Sequence, residues 1–294
     1  MSRRVPSVAY KRIDRTAMDA LIYGLLKSLN YMGGQRQLIL DRVGSVMLQY
    51  LVETRTIPSS DRPGEFAQAL RRLLIKNGYG PRVPPRFKAL ARTPSSLNLV
   101  KILTPTDRSP NRVAFPKSGP SSRRGKVDWV LYEMVLYGMT KVLDDQLGVQ
   151  AQLILERIGT LMLDYLIEVG AIERSNDQKT LIQNVIDYFV KAGYAKSFRY
   201  ELEGAPPDTF VSRYESARFF TTVFRRNQKE GSALLSCPLC LIGRSIWATE
   251  GWKFGNTFET RIQSGGKVLT KCKIYPPAER FTEKDALSFS RMKV

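Results

Sequence analysis

One stretch of this 294-residue chain is written twice, and any fold must accommodate both copies. Gln37-Leu-Ile-Leu-Asp-Arg-Val-Gly44 recurs as Gln152-Leu-Ile-Leu-Glu-Arg-Ile-Gly159, and Met47-Leu-Gln-Tyr-Leu-Val-Glu53 recurs as Met162-Leu-Asp-Tyr-Leu-Ile-Glu168, both at an offset of 115 residues. Lys76-Asn-Gly-Tyr79 meets Lys191-Ala-Gly-Tyr194 at the same offset. Tyr23-Gly24 meets Tyr137-Gly138 at 114, so one residue was gained or lost between the first two helices. A repeat of this length is a domain, too long for a solenoid unit.

The copies differ in charge. Residues 1–126 hold 24 Lys and Arg against 7 Asp and Glu, a net of +17, whereas residues 127–294 hold 22 against 20, a net of +2. Nearly all of the chain's +19 therefore sits in its first half. Within it, residues 81–126 contain 11 basic residues, a single acid (Asp107) and 8 of the 16 prolines. That composition favours an extended connector that buries little of itself. Arg82, Arg86, Lys88, Arg92, Arg123, Arg124 and Lys126 are its candidate contacts for an anionic partner, whether RNA, an acidic membrane surface or an acidic protein complex. A merely solubilising surface is the plain alternative.

With 43% hydrophobic residues, the chain has enough length for two domains, each with its own core. No run of about 18 uncharged apolar residues exists, so a spanning helix is not expected. The start, Met-Ser-Arg-Arg-Val-Pro-Ser, lacks the apolar core of a secretory signal. Three cysteines, an odd number, fit a reducing compartment better than a disulfide framework. The expected location is cytoplasmic, peripheral to a membrane or bound to a large complex.

Each copy opens with helices. In the second, Val127 to Val142, Leu153 to Val169 and Leu181 to Val190 carry apolar residues at helical spacing. Gly78 and Gly193 follow the third helix of each copy, where a left-handed cap favours glycine. Gly44 and Gly159 lie inside helices, where glycine costs about 1 kcal/mol relative to alanine, so they predict close helix contact. The period then changes. Phe198, Tyr200 and Leu202 alternate with charged residues, and a second extended run surrounds Phe210 and Val211. Ser236 to Trp247 reads as a helix entered through a serine cap, with Pro238 in its first turn. Strands at Thr257 to Gln263 and Val268 to Tyr275 flank Ser264-Gly-Gly266 as a closing hairpin. The fold class is α+β.

This order of elements, with the cysteine-bearing helix followed by Phe258-Glu-Thr-Arg-Ile and Cys272-Lys-Ile-Tyr275, resembles the V4R (4-vinyl reductase) domain and the Bet3-like subunits of transport-particle tethering complexes. The resemblance covers residues 127–277 in full and only the three-helix part of the first copy, Thr16 to Gly80; Leu97 to Leu103 reads as a remnant strand. It divides the chain into a truncated helical repeat at 1–80, the basic connector at 81–126, a complete V4R-like domain at 127–277 and a tail at 278–294. It implies a domain that can dimerise and that encloses an apolar pocket, with the tandem chain forming an internal pseudo-dimer or a homodimer. Members bind hydrophobic effectors, hold acyl chains, scaffold assemblies or are linked to chlorophyll formation. A pocket between the long helix and the helix from Cys237 to Trp252 would be lined by Met162, Tyr165, Phe220, Leu241 and Trp247.

The same resemblance implies a metal site in some sensor members. Cys240, Glu259 and Cys272 match three of its positions, Ile262 stands where a further cysteine is expected, and Cys237 offers the missing thiolate through Cys-Pro-Leu-Cys. A closed zinc site wants four ligands, usually thiolate or imidazole, and the chain contains no histidine. Buried structural cysteines are the plainer reading, ahead of zinc or a thiol-exchange pair.

The lack of histidine also excludes Ser-His-Asp and Cys-His catalysis, and neither a phosphate-binding loop nor a dinucleotide-binding turn is present. Asp144-Asp145 and Glu201/Glu203 read as solvated carboxylates. Arg213 to Arg226 interleave rings with guanidinium groups, as single-stranded nucleic-acid surfaces do, but inward packing of the rings is the plainer reading, and a pocket lining is a third. The resemblance, with the basic connector, thus implies a non-enzymatic protein that binds a hydrophobic small ligand, a tetrapyrrole or acyl group among the candidates, and serves as a scaffold with a basic docking segment. The alternative is a nucleic-acid-binding protein. A vinyl reductase would need an electron-donor site that the sequence does not display.

Overall fold

The computed structural model describes residues 12–59, 63–79, 125–204, 207–215, 220–232, 237–263 and 267–275. Arg82, Arg86, Lys88, Arg92, Arg123 and Arg124, the remnant strand at 97–103, the tip of the closing hairpin and the tail at 278–294 lie outside the described residues. The architecture is mixed helix and antiparallel sheet, an α+β fold.

A short strand and a helix open each copy. Strand β1 (Arg12–Asp14) leads into α1 (Arg15–Leu29), and β2 (Lys126–Asp128) leads into α4 (Trp129–Leu147). Asp14 caps α1 by accepting from the Thr16 N–H at 2.7 Å, which satisfies one of the donors every helix start leaves free. The strands pair antiparallel, with Ile13 opposite Val127. Equivalent residues thus face each other across the pair, and the two copies start out related by a local twofold.

The following helices keep that relation. The first copy supplies α2 (Gln35–Glu53) and α3 (Pro63–Lys76), and the second supplies α5 (Ala151–Glu168) and α6 (Gln178–Lys191). Helix α1 packs along α5, and α4 packs along α2, so each copy's first helix lies on the other copy's long helix. Glycine permits both crossings. A Cβ on Gly24 would meet the Ile158 carbonyl oxygen at 2.9 Å, and one on the equivalent Gly138 would meet Met47 Cγ at 2.6 Å and the Val43 carbonyl oxygen at 3.1 Å. Tyr23 stacks on Tyr165 with ring centres 5.2 Å apart and planes at 36°, while Tyr50 stacks on Tyr137 at 5.3 Å and 36°. The amides at matched positions also find matched partners: the Asp14 N–H donates to the Ala192 backbone carbonyl at 3.0 Å, and the Asp128 N–H donates to the side-chain Oδ1 of Asn77 at 2.6 Å.

Most of the buried apolar residues of both copies form one continuous cluster, running from Ile13 to Val268. Each copy's helices therefore complete the other's core, where chain length alone allowed two separate cores. No helix among the described residues is long and apolar enough to cross a membrane.

The sheet belongs to the second copy. Strands β3 (Ser197–Gly204), β4 (Pro207–Glu215), β5 (Lys253–Ile262) and β6 (Lys267–Tyr275) run antiparallel in the order β3-β4-β6-β5. A π-helical turn (Phe220–Phe224) and the short helix α7 (Arg225–Lys229) follow β4. Helix α8 (Pro238–Ala248) follows, shorter than the sequence reading, and its N-cap is Cys237 rather than a serine. Cys237 is extended (φ −71°, ψ 113°) and its Sγ accepts from the Cys240 N–H at 3.4 Å, while Pro238 needs no acceptor in the first turn.

Alternation along the strands gives the sheet two unlike faces. One carries Phe198, Tyr200, Phe210, Ser212, Tyr214, Thr270 and Cys272 toward α8. The other carries an ion-pair ladder in which Arg213 binds Glu201 at 2.6 Å and Glu203 at 3.2 Å, and Lys271 binds Glu203 at 2.6 Å. Helix α8 lies between that apolar face and α5. Gly159 of α5 admits the Leu241 backbone, since a Cβ there would lie 2.5 Å from its carbonyl carbon. On the other side, a Cβ on Gly243 would lie 2.5 Å from the Tyr200 hydroxyl.

Candidate ligand site between helix α8 and the sheet

The residues expected to line a pocket do not converge. Met162 and Tyr165 sit one helical turn apart on the face of α5 covered by α1, where Met162 approaches Gly24 and Tyr165 stacks on Tyr23. Leu241 is buried, and its backbone is pressed onto Gly159. Phe220 is placed only by its backbone, in the π-helical turn. The close contact at Gly159 leaves no gap between α5 and α8 for the proposed pocket at that point. Trp247 lies elsewhere again, facing Trp252 with ring centres 5.8 Å apart and Phe210 at 6.3 Å.

The proposed metal ligands separate too. Cys237, Cys240 and Cys272 are buried free thiols, but Glu259 is exposed and pairs with Arg261. The reason is strand alternation: Phe258 sits opposite Cys272 and shares its face, so its neighbour Glu259, opposite Lys271, points to the other side of the sheet. Among the described residues, no cluster of three or more cysteine, aspartate or glutamate side chains is arranged to hold a metal ion.

The cysteines instead join a buried hydroxyl network. Tyr214 donates to Cys237 Sγ at 3.1 Å and also contacts Cys240, whose sulfur lies 3.4 Å from Ser212 Oγ. Tyr194 reaches Cys237 at 3.6 Å. Burial raises the phenols of Tyr194, Tyr200 and Tyr214 well above their ordinary values and does the same to the Cys237 thiol. Cys272 is pushed up to about 12, mainly by burial. Burial also opposes the Cys240 thiolate, but hydrogen bonds from Cys237, Ser212 and Tyr214, with the charge of Arg244, bring that thiol below its ordinary value.

The segment with interleaved rings and arginines makes internal contacts as well. Arg213 belongs to the ion-pair ladder, and Arg226 lies 4.1 Å over the Tyr137 ring while pairing with Glu53 at 2.5 Å and Glu230 at 3.1 Å. Phe224 packs against the core, whereas Arg218 and Phe219 lie outside the described residues. Lys126, the connector candidate within the described residues, is exposed on β2.

A feature the motifs did not single out lies at the far end of α8. Phe210, Cys272 and Ile274 form a second apolar cluster, with Tyr200, Leu202, Trp247, Trp252, Phe254 and Phe258 half-buried around it; Tyr200, Trp247 and Phe258 also pack against the main core. Arg244, only 2% exposed, places its guanidinium carbon 4.9 Å from the ring centres of both Phe254 and Phe258. One of its nitrogens, Nη2, donates to Glu156 on α5. Its Nε and Nη1 are buried and meet no acceptor among the described residues, and the same holds for the Trp247 indole nitrogen. Burial lowers the Arg244 pKa, and Glu156, then Cys272 and Cys240, act against that shift. The sequence signal was a lone arginine in the otherwise apolar helix Leu239 to Trp247.

Comparison of the chain with protein-family models, with curated proteins and with solved structures finds no match.

Proposed function

We propose that this chain is a non-enzymatic, tandem V4R-like protein, built as an internal pseudo-dimer, that binds a hydrophobic small molecule and docks an anionic partner through its basic connector. The observation that carries the ligand reading is the aromatic layer between α8 and the sheet. Its buried members form a cluster of their own beside the main core, its outer rings are half-buried, and three nitrogens of Arg244 and Trp247 are donors that meet no acceptor among the described residues. Ligand sites commonly combine apolar and aromatic walls with a few fixed polar groups. The reciprocal packing of α1 on α5 and α4 on α2 supports the pseudo-dimer, because equivalent residues meet across it.

The test is native mass spectrometry with an absorption spectrum, on protein purified at high salt. A stoichiometric lipid or pigment adduct is expected, and it should be lost in Trp252→Asp, at a half-buried position on the rim. An unchanged adduct in that variant would contradict the placement.

A second reading, nucleic-acid binding, draws on the net +17 of residues 1–126. It predicts RNA affinity that falls steeply with salt as counterions are released, and salt-independent or absent RNA binding would remove it.

A further inference from the structure

A buried donor without an acceptor costs free energy, more so when it is charged, and Arg244 holds two such nitrogens beside the aromatic layer. The Trp247 indole N–H, from the same helix, is a third unpaired donor. Among the described residues, what these donors lack is an acceptor.

Its charge can be argued as well. Glu156 already opposes the guanidinium, so a carboxylate brought beside Arg244 would add net negative charge among Phe254, Phe258 and Trp247, where desolvation penalises it. A neutral carbonyl oxygen offers lone pairs without that charge. We propose that the aromatic layer takes a neutral apolar ligand, aromatic by preference, whose carbonyl oxygen accepts from Arg244. This assignment rests on the ligand-binding reading above and specifies the ligand's polar end.

The test uses three probes of matched shape on the full chain: 2-acetylnaphthalene, 2-ethylnaphthalene and 2-naphthoate, measured by equilibrium dialysis. The ketone should bind about tenfold or more tighter than the hydrocarbon, since hydrogen bonds to charged groups are among the stronger ones and the hydrocarbon leaves the donors unmet. The carboxylate should bind no tighter than the ketone. Arg244→Met should erase the gap between ketone and hydrocarbon while preserving hydrocarbon binding. Should that variant fail to fold, Glu156→Gln provides an independent check: removing the opposing charge should shift preference toward 2-naphthoate.

Equal binding of ketone and hydrocarbon by the unmodified protein would overturn the role of Arg244 and leave the ligand reading standing. Tightest binding by 2-naphthoate would overturn the neutral-ligand assignment. Binding by none of the three would overturn the proposal, and the native adduct measurement would then decide whether the underlying reading fails with it.

Discussion

Gly159 and Gly243 show how single missing side chains set the position of α8. The first lets the Leu241 backbone rest on α5, and the second lets the Tyr200 ring rest on α8, so the helix is held close on both sides. The obstacles differ in stiffness. A methyl at Gly159 would press on backbone atoms, which cannot rotate away, whereas one at Gly243 would press on a ring pinned by its hydrogen bond to the Leu239 carbonyl. Gly159→Ala should therefore cost about 1–3 kcal/mol, the range for overpacking a filled interior. Denaturant unfolding would check this, and an unchanged midpoint would mean that α8 can shift freely. The sequence exposed the need for contact at Gly159, because glycine inside a helix has no other evident use there. It did not expose Arg244 as a buried group: a lone arginine in an apolar helix normally lies at the edge. Its burial depends on Phe254 and Phe258 arriving later in the chain, on a strand.

At the level of elements, helices and strands were legible because their apolar periods differ, and β3, β4, α8 and the hairpin strands fall where those periods change. What covers each face was not legible. Helix α5 is apolar on two sides, and periodicity cannot say that α1 takes the side bearing Met162 and Tyr165 while α8 takes Gly159. The expected lining residues on α5 and α8 face different neighbours for that reason. The expected metal ligands separate for another, since the pleat divides Glu259 from Cys272 even though the two strands pair.

The seam between α2 and α4 yields an element-scale prediction. Arg226 from α7 pairs with Glu53 of the first copy and lies over Tyr137 of the second. Both partners are partly exposed, at 25% and 41% of the side chain, so solvent screens the pair. A double-mutant cycle on Arg226→Ala and Glu53→Ala should give a coupling of about 1 kcal/mol or less. The single change Arg226→Ala should cost more than that coupling, because it also removes the stacking on Tyr137. Equal values would assign the whole effect to the ion pair.

Across the whole molecule, two copies of one helical unit build a single main core. Ile13 opposite Val127, Gly24 and Gly138 at matched crossings, and two tyrosine pairs of nearly equal geometry all follow from that arrangement. Divergence between the copies then has a structural role. Among the described residues the second copy carries the sheet, α8 and the aromatic layer, while the first supplies helices that the second needs for burial.

Cooperative unfolding tests this most directly. All three tryptophans, Trp129, Trp247 and Trp252, belong to the second copy, so their fluorescence reports on it alone, whereas far-ultraviolet circular dichroism reports the helices of both. A shared core predicts that the two signals lose structure at the same denaturant concentration, in one transition. Two separated transitions, with helix content lost while the tryptophan signal stays native, would contradict the account.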